Sequence, residues 1–292
     1  MKRMLFLFTM LMPFTGFSQA NMEAHYRVYD AAQKKVITID ELVKNVKNAD
    51  VVFFGEEHND SIGHYLENRI FEKLYDNYGE KMALSMEMFE NDVQIVVDEY
   101  LKGLIREKNF IKDARAWSNY KDYRTMIEFA KSKHLPVIAA NAPARYTNMV
   151  TRGGLPALNG LGKAAKAYLA PLPIDTATGA YYEKFVTTMG GHSAMGGMKI
   201  YQSQNLWDAT MASSILRYLK KNKDAKVFQV NGRFHSDQKF GAAAQLARYA
   251  PKLEIVNISS FSDKGFPNPS WDELASLGDF IIITDPGVKR SY

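Results

Sequence analysis

The chain has 292 residues, of which 46% are hydrophobic and 24% are charged, and its formal net charge at neutral pH is +5. A chain of this size and composition can bury a large core, and its weak positive charge argues against a dedicated nucleic-acid-binding protein. Because the sequence contains no cysteine, disulfides, thiolate metal ligands and a cysteine nucleophile are excluded.

Residues 1–20 have the pattern of a secretory signal peptide. Lys2 and Arg3 precede an apolar stretch from Met4 to Phe17, and small and polar residues follow as far as Ala20. The stretch is too short for a membrane span, and no other apolar run in the sequence is long enough. We therefore expect an exported protein, periplasmic or secreted, whose mature chain has a formal charge of +3. Without a cysteine, it cannot be lipid-anchored through that residue.

Six short apolar runs along the mature chain predict β-strands. The runs cover residues 49–54, 82–88, 136–140, 226–230, 253–258 and 280–284. Their nearly continuous apolar character indicates strands that are covered on both faces, as in a parallel sheet. Helical patterns at 64–78 and 123–134 lie between strands, so we predict an α/β fold with a doubly wound, mainly parallel sheet and helices on both faces.

The region from about residue 145 to 200 interrupts this alternation. It contains three Gly-Gly pairs, several prolines, and many Tyr and Met residues. We interpret it as a helical insertion or lid within a single α/β domain that spans residues 21–292. Its "GHSAMGG" segment lacks the GxSxG spacing of a serine hydrolase, and the sequence contains neither GxxxxGK[ST] nor HExxH.

Polar residues follow the ends of four predicted strands. Parallel strands deliver such residues to one edge of a sheet, where α/β proteins bind ligands, so we expect the side chains to share one site. Each could instead belong to a structural network, because buried carboxylates and imidazoles need partners wherever they lie. The candidates are Gly55, Glu56, His58, Glu87, Asn141, Gly232 and His235, together with His64 at a helix start and with Gln204 and Asp208 on one helix face.

Several of these segments carry a family resemblance. "FFGEEHND" with the following His64, "SMEMFE", "AANAPARY", "QSQNLWDATMA" and "VNGRFHSDQKFG" occur in this order. Together they resemble the ChaN-like haem-binding uptake proteins of the Tiki superfamily, over about residues 35–285. The resemblance implies a parallel-sheet core with a helical subdomain, an envelope location, and a role in haem or iron acquisition. It also implies haem as the ligand, often bound by a homodimer, with an outer-membrane haem receptor as a further partner.

Haem binding is the function that we favour, because the resemblance points to the haem-binding branch and no nucleophile is evident. Haem requires an apolar slot, an axial His or Tyr, and basic groups for its propionates. In the insertion, His192 is the candidate for imidazole ligation, and Tyr181 or Tyr182 for phenolate ligation. Met195 and Arg145 complete the candidate cofactor-binding residues.

The alternative function is a metal-dependent hydrolase of the erythromycin esterase or Tiki protease type. Glu56 or Glu87 would act as general base, and His58 and His235 would transfer protons. Zinc or another divalent ion would be held by His58, Glu87 and His235. Arg145 would stabilise an anionic transition state.

Overall fold

The computed structural model describes residues 22–176, 178–190 and 197–292. Eight strands form one sheet in the order β2-β1-β8-β7-β3-β6-β4-β5. The strands are β1 (Tyr26–Asp30), β2 (Lys35–Ile37), β3 (Val51–Glu56), β4 (Met82–Glu90), β5 (Val137–Asn141), β6 (Lys226–Gly232), β7 (Ile255–Ser262) and β8 (Phe280–Thr284).

The helices lie mainly between successive strands of the parallel part of the sheet. They are α1 (Ile39–Asn45), α2 (Ser61–Tyr78), α3 (Gln94–Leu101), α4 (Glu107–Asp113), α5 (Tyr120–Ser132), α6 (Ala144–Gly153), α7 (Lys163–Lys166), α8 (Ala180–Thr188), α9 (Gly197–Lys221), α10 (Gly241–Tyr249) and α11 (Trp271–Leu274). Short 3-10 turns include Leu155–Gly160, Arg233–His235 and Asp237–Lys239.

The sheet is mainly parallel, as the sequence predicts. Strands β8, β7, β3, β6, β4 and β5 pair in parallel, and all six correspond to the predicted apolar runs. The hairpin of β1 and β2 was not predicted, and it adds an antiparallel edge beside β8. The fold class is therefore a doubly wound α/β sheet with one antiparallel edge.

Helices cover both faces of this sheet, and the central strand presents apolar residues to both faces. In β3, Val52 and Phe54 pack in a core with α2 and α5, whereas Val51 and Phe53 pack in a second core with α9 and α10. Side chains alternate between the two faces of a strand, so a continuous apolar run supplies both cores.

The region between β5 and β6 is largely helical where the structure describes it. Helix α6 packs against α9, and a third core joins α6, the turn Leu155–Gly160, residues 169–174 and the first half of α9. Within the described ranges, we find no helix with the length and apolar character needed to cross a bilayer.

Candidate functional site

The last residue of β3 begins the candidate site. Glu56 is 1% exposed, and its Oε1 accepts a hydrogen bond from the Tyr123 hydroxyl at 2.7 Å. The same oxygen lies 2.8 Å from His58 Nδ1. Because a carboxylate only accepts, His58 donates its Nδ1 hydrogen to Glu56. The His58 ring also packs edge-on against Trp117, with 5.2 Å between ring centroids.

This pairing changes the pKa of both partners. Burial opposes ionisation of Glu56, but the hydrogen bond from His58 and the nearby positive charge of His64 outweigh burial and lower the Glu56 pKa. Burial alone would lower the His58 pKa, but the hydrogen bond to Glu56 and the negative charge of Glu87 raise it. The pair therefore favours an ionised carboxylate beside a basic imidazole.

A second histidine–carboxylate group forms where β4 and β6 end. Glu87 Oε2 accepts from the backbone N–H of Gly232 at 2.7 Å, and Glu87 Oε1 lies 3.4 Å from His235 Nε2. His235 Nδ1 lies 2.7 Å from Asp208 Oδ1, with Gln204 Nε2 at 2.9 Å from the same ring nitrogen. Helix α9 thus supplies Asp208 and Gln204, four residues apart on one face, to a histidine that follows β6.

His235 is held as an imidazolium by the carboxylates on its two sides. Burial would lower its pKa, but the charges of Glu87 and Asp208 raise it to about 10. Burial raises the pKa of Asp208, and His235 only partly offsets this effect. For Glu87, burial is outweighed by the positive charge of His235, so the Glu87 pKa is lowered.

Gly232 lies between the two groups. A Cβ atom at this position would lie 2.7 Å from His58 Nε2 and 3.7 Å from Glu87 Oε2. The backbone angles of Gly232 (φ −56°, ψ 133°) suit any residue, so close approach rather than conformation favours glycine here. His58 and Glu87 therefore converge on Gly232 at the carboxyl edge of the sheet, with Glu56 behind His58 and His235 beside Glu87, and this region is named the cleft.

Close approach also favours glycine at position 55, where the neighbouring atoms include the protein backbone. A Cβ atom at this position would lie 2.9 Å from the Arg233 Cα and 2.7 Å from the Ser236 Oγ. The close packing of β3 against the turn after β6 therefore requires glycine, whereas Gly232 leaves space for a site side chain.

The candidate residues of the insertion occupy different environments. The Tyr181 hydroxyl donates to Asp208 Oδ2 at 2.7 Å, and burial together with the Asp208 charge raises the Tyr181 pKa. Tyr182 is partly buried and packs edge-on against Tyr201. His192 and Met195 lie outside the described residues.

Two further candidates contact residues outside the two histidine–carboxylate groups. Arg145 forms an ion pair with Asp92 and stacks on the Tyr146 ring at 4.4 Å. Asn141 is paired with Glu90 in the sheet, and its side-chain oxygen accepts from the Ala142 N–H.

Sequence reasoning did not identify several residues that build the site. Tyr123 and Trp117 contact Glu56 and His58 from the segment before β5. Glu67, fully buried on α2, lies one helical turn after His64. A glutamate beside the apolar stripe of a predicted helix was the sequence pattern that could have indicated Glu67. No local sequence pattern links Trp117 or Tyr123 to β3.

The C-terminal segment fastens the loop that carries His58. Arg290 contacts Glu57 Oε2 at 3.0 Å, and the Ser291 N–H donates to the Asn59 carbonyl at 3.0 Å. The Ser61 hydroxyl donates to the Lys289 carbonyl at 2.7 Å. Residues 289–291 therefore hold the loop between β3 and α2 from outside.

The fold and the paired histidines define an α/β protein with its site at the carboxyl edge of a parallel sheet. The family model described as "Haem-binding uptake, Tiki superfamily, ChaN" matches residues 42–246. The chain belongs to this family. No curated protein sequence gives a significant match.

Solved structures support the fold assignment. A structure titled "Cofacial heme binding to ChaN of Campylobacter jejuni" aligns with a TM-score of 0.68 and 16% identity, over 89% of this chain and 97% of that one. An erythromycin esterase mutant in its open conformation aligns with a TM-score of 0.46 and 11% identity, over 89% of this chain and 83% of the esterase. The first similarity concerns the fold, and the second is too distant to support an argument.

Proposed function

We propose that this chain is an exported haem-binding protein that serves haem or iron uptake. Membership of the ChaN family supports haem as the ligand. The observation that carries the proposal is the setting of His58, whose Nδ1 is engaged by a buried carboxylate while its Nε2 faces Gly232 and its side chain is 36% exposed.

A histidine that ligates a metal usually donates its other ring hydrogen to a carboxylate, which fixes the ring and raises its basicity. His58 meets this description through its 2.8 Å contact with Glu56. Its side chain is 36% exposed, compared with 10% for His235 and 5% for His64. Among these three imidazoles, His58 is therefore the one that an external haem iron can reach.

The insertion would form the wall opposite His58. Helix α8 contacts the turn after β6, where Lys184 Nζ donates to the Phe234 carbonyl oxygen at 3.4 Å. Tyr182 and His192 are the remaining candidates for a ligand from this side. Ligation by Tyr181 would first require loss of its hydrogen bond to Asp208.

Haemin titration of the purified mature protein tests the proposal. We expect a saturable shift of the Soret band that weakens strongly in His58→Ala, with Tyr182→Phe and His192→Ala reporting a second ligand. A wild-type protein without a saturable shift would contradict haem binding. Normal binding by His58→Ala would contradict only the choice of ligand.

The homodimer, the outer-membrane haem receptor and the export signal belong to the same proposal. Sedimentation with and without haemin measures dimer formation, and N-terminal sequencing of protein recovered from the cell envelope locates the expected cleavage after residue 20. A cytoplasmic protein with an intact N-terminus would contradict export.

A metal-dependent hydrolase is the second candidate, favoured by two histidine–carboxylate pairs around one cleft. Zinc held by His58, Glu87 and His235 would activate water there. Ester hydrolysis by haem-free, zinc-loaded protein that Glu87→Gln abolishes would support this function. The absence of hydrolysis, together with a saturable Soret shift, would leave the haem-binding function.

A further inference from the structure

A second set of ligand atoms gathers around the other oxygen of the Glu56 carboxylate. Glu56 Oε2 lies 3.2 Å from His64 Nδ1, and Glu67 Oε2 lies 3.5 Å from the same nitrogen. One ligand atom from each of the three residues lies within 4.8 Å of the others. Exposure is 1% for Glu56, 6% for His64 and 0% for Glu67, so the cluster is buried.

The contacts of His64 orient its ring toward the two carboxylates. His64 Nε2 lies 3.1 Å from the backbone carbonyl of His58, which can only accept a hydrogen bond. Nε2 therefore carries a hydrogen, and in the neutral ring Nδ1 presents its lone pair to Glu56 and Glu67. This is the tautomer that a metal ion bound at Nδ1 requires.

Two of the four carboxylate oxygens around His64 lack a hydrogen-bond donor among the described residues. Tyr123 and His58 both contact Oε1 of Glu56. Oε2 of Glu56 and Oε1 of Glu67 are buried and accept no hydrogen bond in the part of the chain that the structure describes. Buried polar atoms without a partner are rare in folded proteins and can indicate an ion that completes the site.

A divalent cation satisfies this arrangement in charge and in chemistry. Its two positive charges balance the two buried carboxylates once the ion has replaced the proton on His64 Nδ1. One imidazole nitrogen and two carboxylate oxygens are donors that zinc and similar transition metals accept, whereas calcium and magnesium favour sites built from oxygen. We propose that Glu56, His64 and Glu67 bind one divalent transition-metal ion, separate from the cleft that His58 borders.

This site would act on the cleft through Glu56. One carboxylate oxygen would bind the ion while the other keeps its hydrogen bonds to His58 and Tyr123. The ion would thus hold Glu56 ionised and fix the orientation of His58, so Glu67 and His64 are positioning residues for the cleft. The metal site does not depend on haem binding and is tested on haem-free protein.

Zinc titration distinguishes this site from one in the cleft. EDTA-treated, haem-free protein is titrated with Zn²⁺ in competition with a chromogenic chelator, and we expect one ion per chain. Glu67→Gln should weaken binding by more than the 10- to 100-fold typical for loss of an outer-shell partner. The matched control, Glu72→Gln, changes another glutamate of α2, one that contacts Asn68 and Arg69, and should leave zinc affinity within about twofold of wild type.

Two results would overturn the proposal. Loss of zinc binding in Glu87→Gln, with normal binding in Glu67→Gln, would place the ion in the cleft. No zinc binding by the wild type at micromolar concentrations would mean that protons, rather than a metal, neutralise the cluster.

A second measurement does not depend on whether the variants fold. Crystals of the wild-type protein soaked in Zn²⁺ and measured at the zinc absorption edge should give an anomalous peak about 2.0–2.2 Å from a Glu56 oxygen, a Glu67 oxygen and His64 Nδ1. A peak only between His58 and Glu87, or no peak, would also refute the site.

Discussion

Replacing Gly232 by alanine tests whether the space beside His58 is needed for ligand binding. The new Cβ would lie 2.7 Å from His58 Nε2 and 2.9 Å from Cε1, closer than the ordinary contact range of 3.4–4 Å. The side chain of His58 is partly exposed, so its ring can move while the fold remains intact. We therefore expect Gly232→Ala to weaken ligand binding in a protein that still folds.

The cost follows from what His58 must give up. A side chain displaced by about 30° from its rotamer costs about 0.5–1.5 kcal/mol. Losing the hydrogen bond to ionised Glu56 costs about 1.5–3 kcal/mol. Since about 1.4 kcal/mol is a tenfold change in affinity, the haemin Kd should rise about twofold to tenfold if the ring only shifts, and about 30-fold or more if the hydrogen bond is lost as well. The free energy of unfolding should fall by these costs less about 0.4–1 kcal/mol, because alanine at a relaxed backbone position restricts the unfolded chain.

Haemin titration and urea unfolding measure the two effects on the same samples. Gly160→Ala is the control, because a Cβ at Gly160 meets no atom within 4 Å. In a His58→Ala background, Gly232→Ala should have no further effect on binding. A folded Gly232→Ala protein with wild-type haemin affinity would refute the reasoning that His58 uses this space.

Three other predictions concern the polar network and the C-terminal segment. The pKa of His235 is raised to about 10 in the folded protein, so its protonation stabilises the fold. This stabilisation is complete below the pKa of the unfolded histidine, near 6.5, and is lost as the pH rises through 10. The raised pKa of His64, about 11, has an effect of the same sign. Urea unfolding of EDTA-treated protein should thus show a free energy that falls by on the order of a few kcal/mol from pH 7 to 10; a flat profile would contradict this. Tyr181→Phe removes a hydrogen bond to buried Asp208 and should cost about 1.5–3 kcal/mol of stability with an unchanged haemin Soret band; a lost Soret shift in folded protein would instead make Tyr181 the ligand. Arg290→Ala should lower the free energy of unfolding by less than about 1 kcal/mol but speed amide hydrogen exchange in residues 57–61. Unchanged exchange in these residues would contradict the role of Arg290 in ordering the loop.

Much of the fold could be predicted because the central strands are apolar on both faces. The run Val51–Phe54 contributes to two cores, and its continuous apolar character distinguishes it from an exposed strand. The β1 and β2 hairpin lacks this signal. Arg27 and Lys35 interrupt its apolar residues, and Val28 and Ile37 pack inward while Val36 is exposed. Such alternation over three to five residues is too short to be distinctive.

The candidate site was predictable where it follows strand ends and not where it depends on packing between distant helices. Glu56 and His235 follow apolar strands, so the parallel sheet brings them to one edge. Tyr123 reaches Glu56 from α5, 67 positions along the chain, and only the packing of α5 on the sheet reveals this contact. Tyr181 was predicted as a ligand from its residue type, but the sequence could not show that its hydroxyl donates to Asp208.

The hold of residues 289–291 on the His58 loop has a consequence for biosynthesis. These contacts join positions more than 220 residues apart, and Arg290 leaves the ribosome after almost all of the sheet has been made. The strand carrying Glu56 pairs with β6 and β7, which end no later than Ser262, so its ladders do not need the residues that fasten the loop. A chain of the first 285 residues would contain the whole sheet but an unfastened His58 loop.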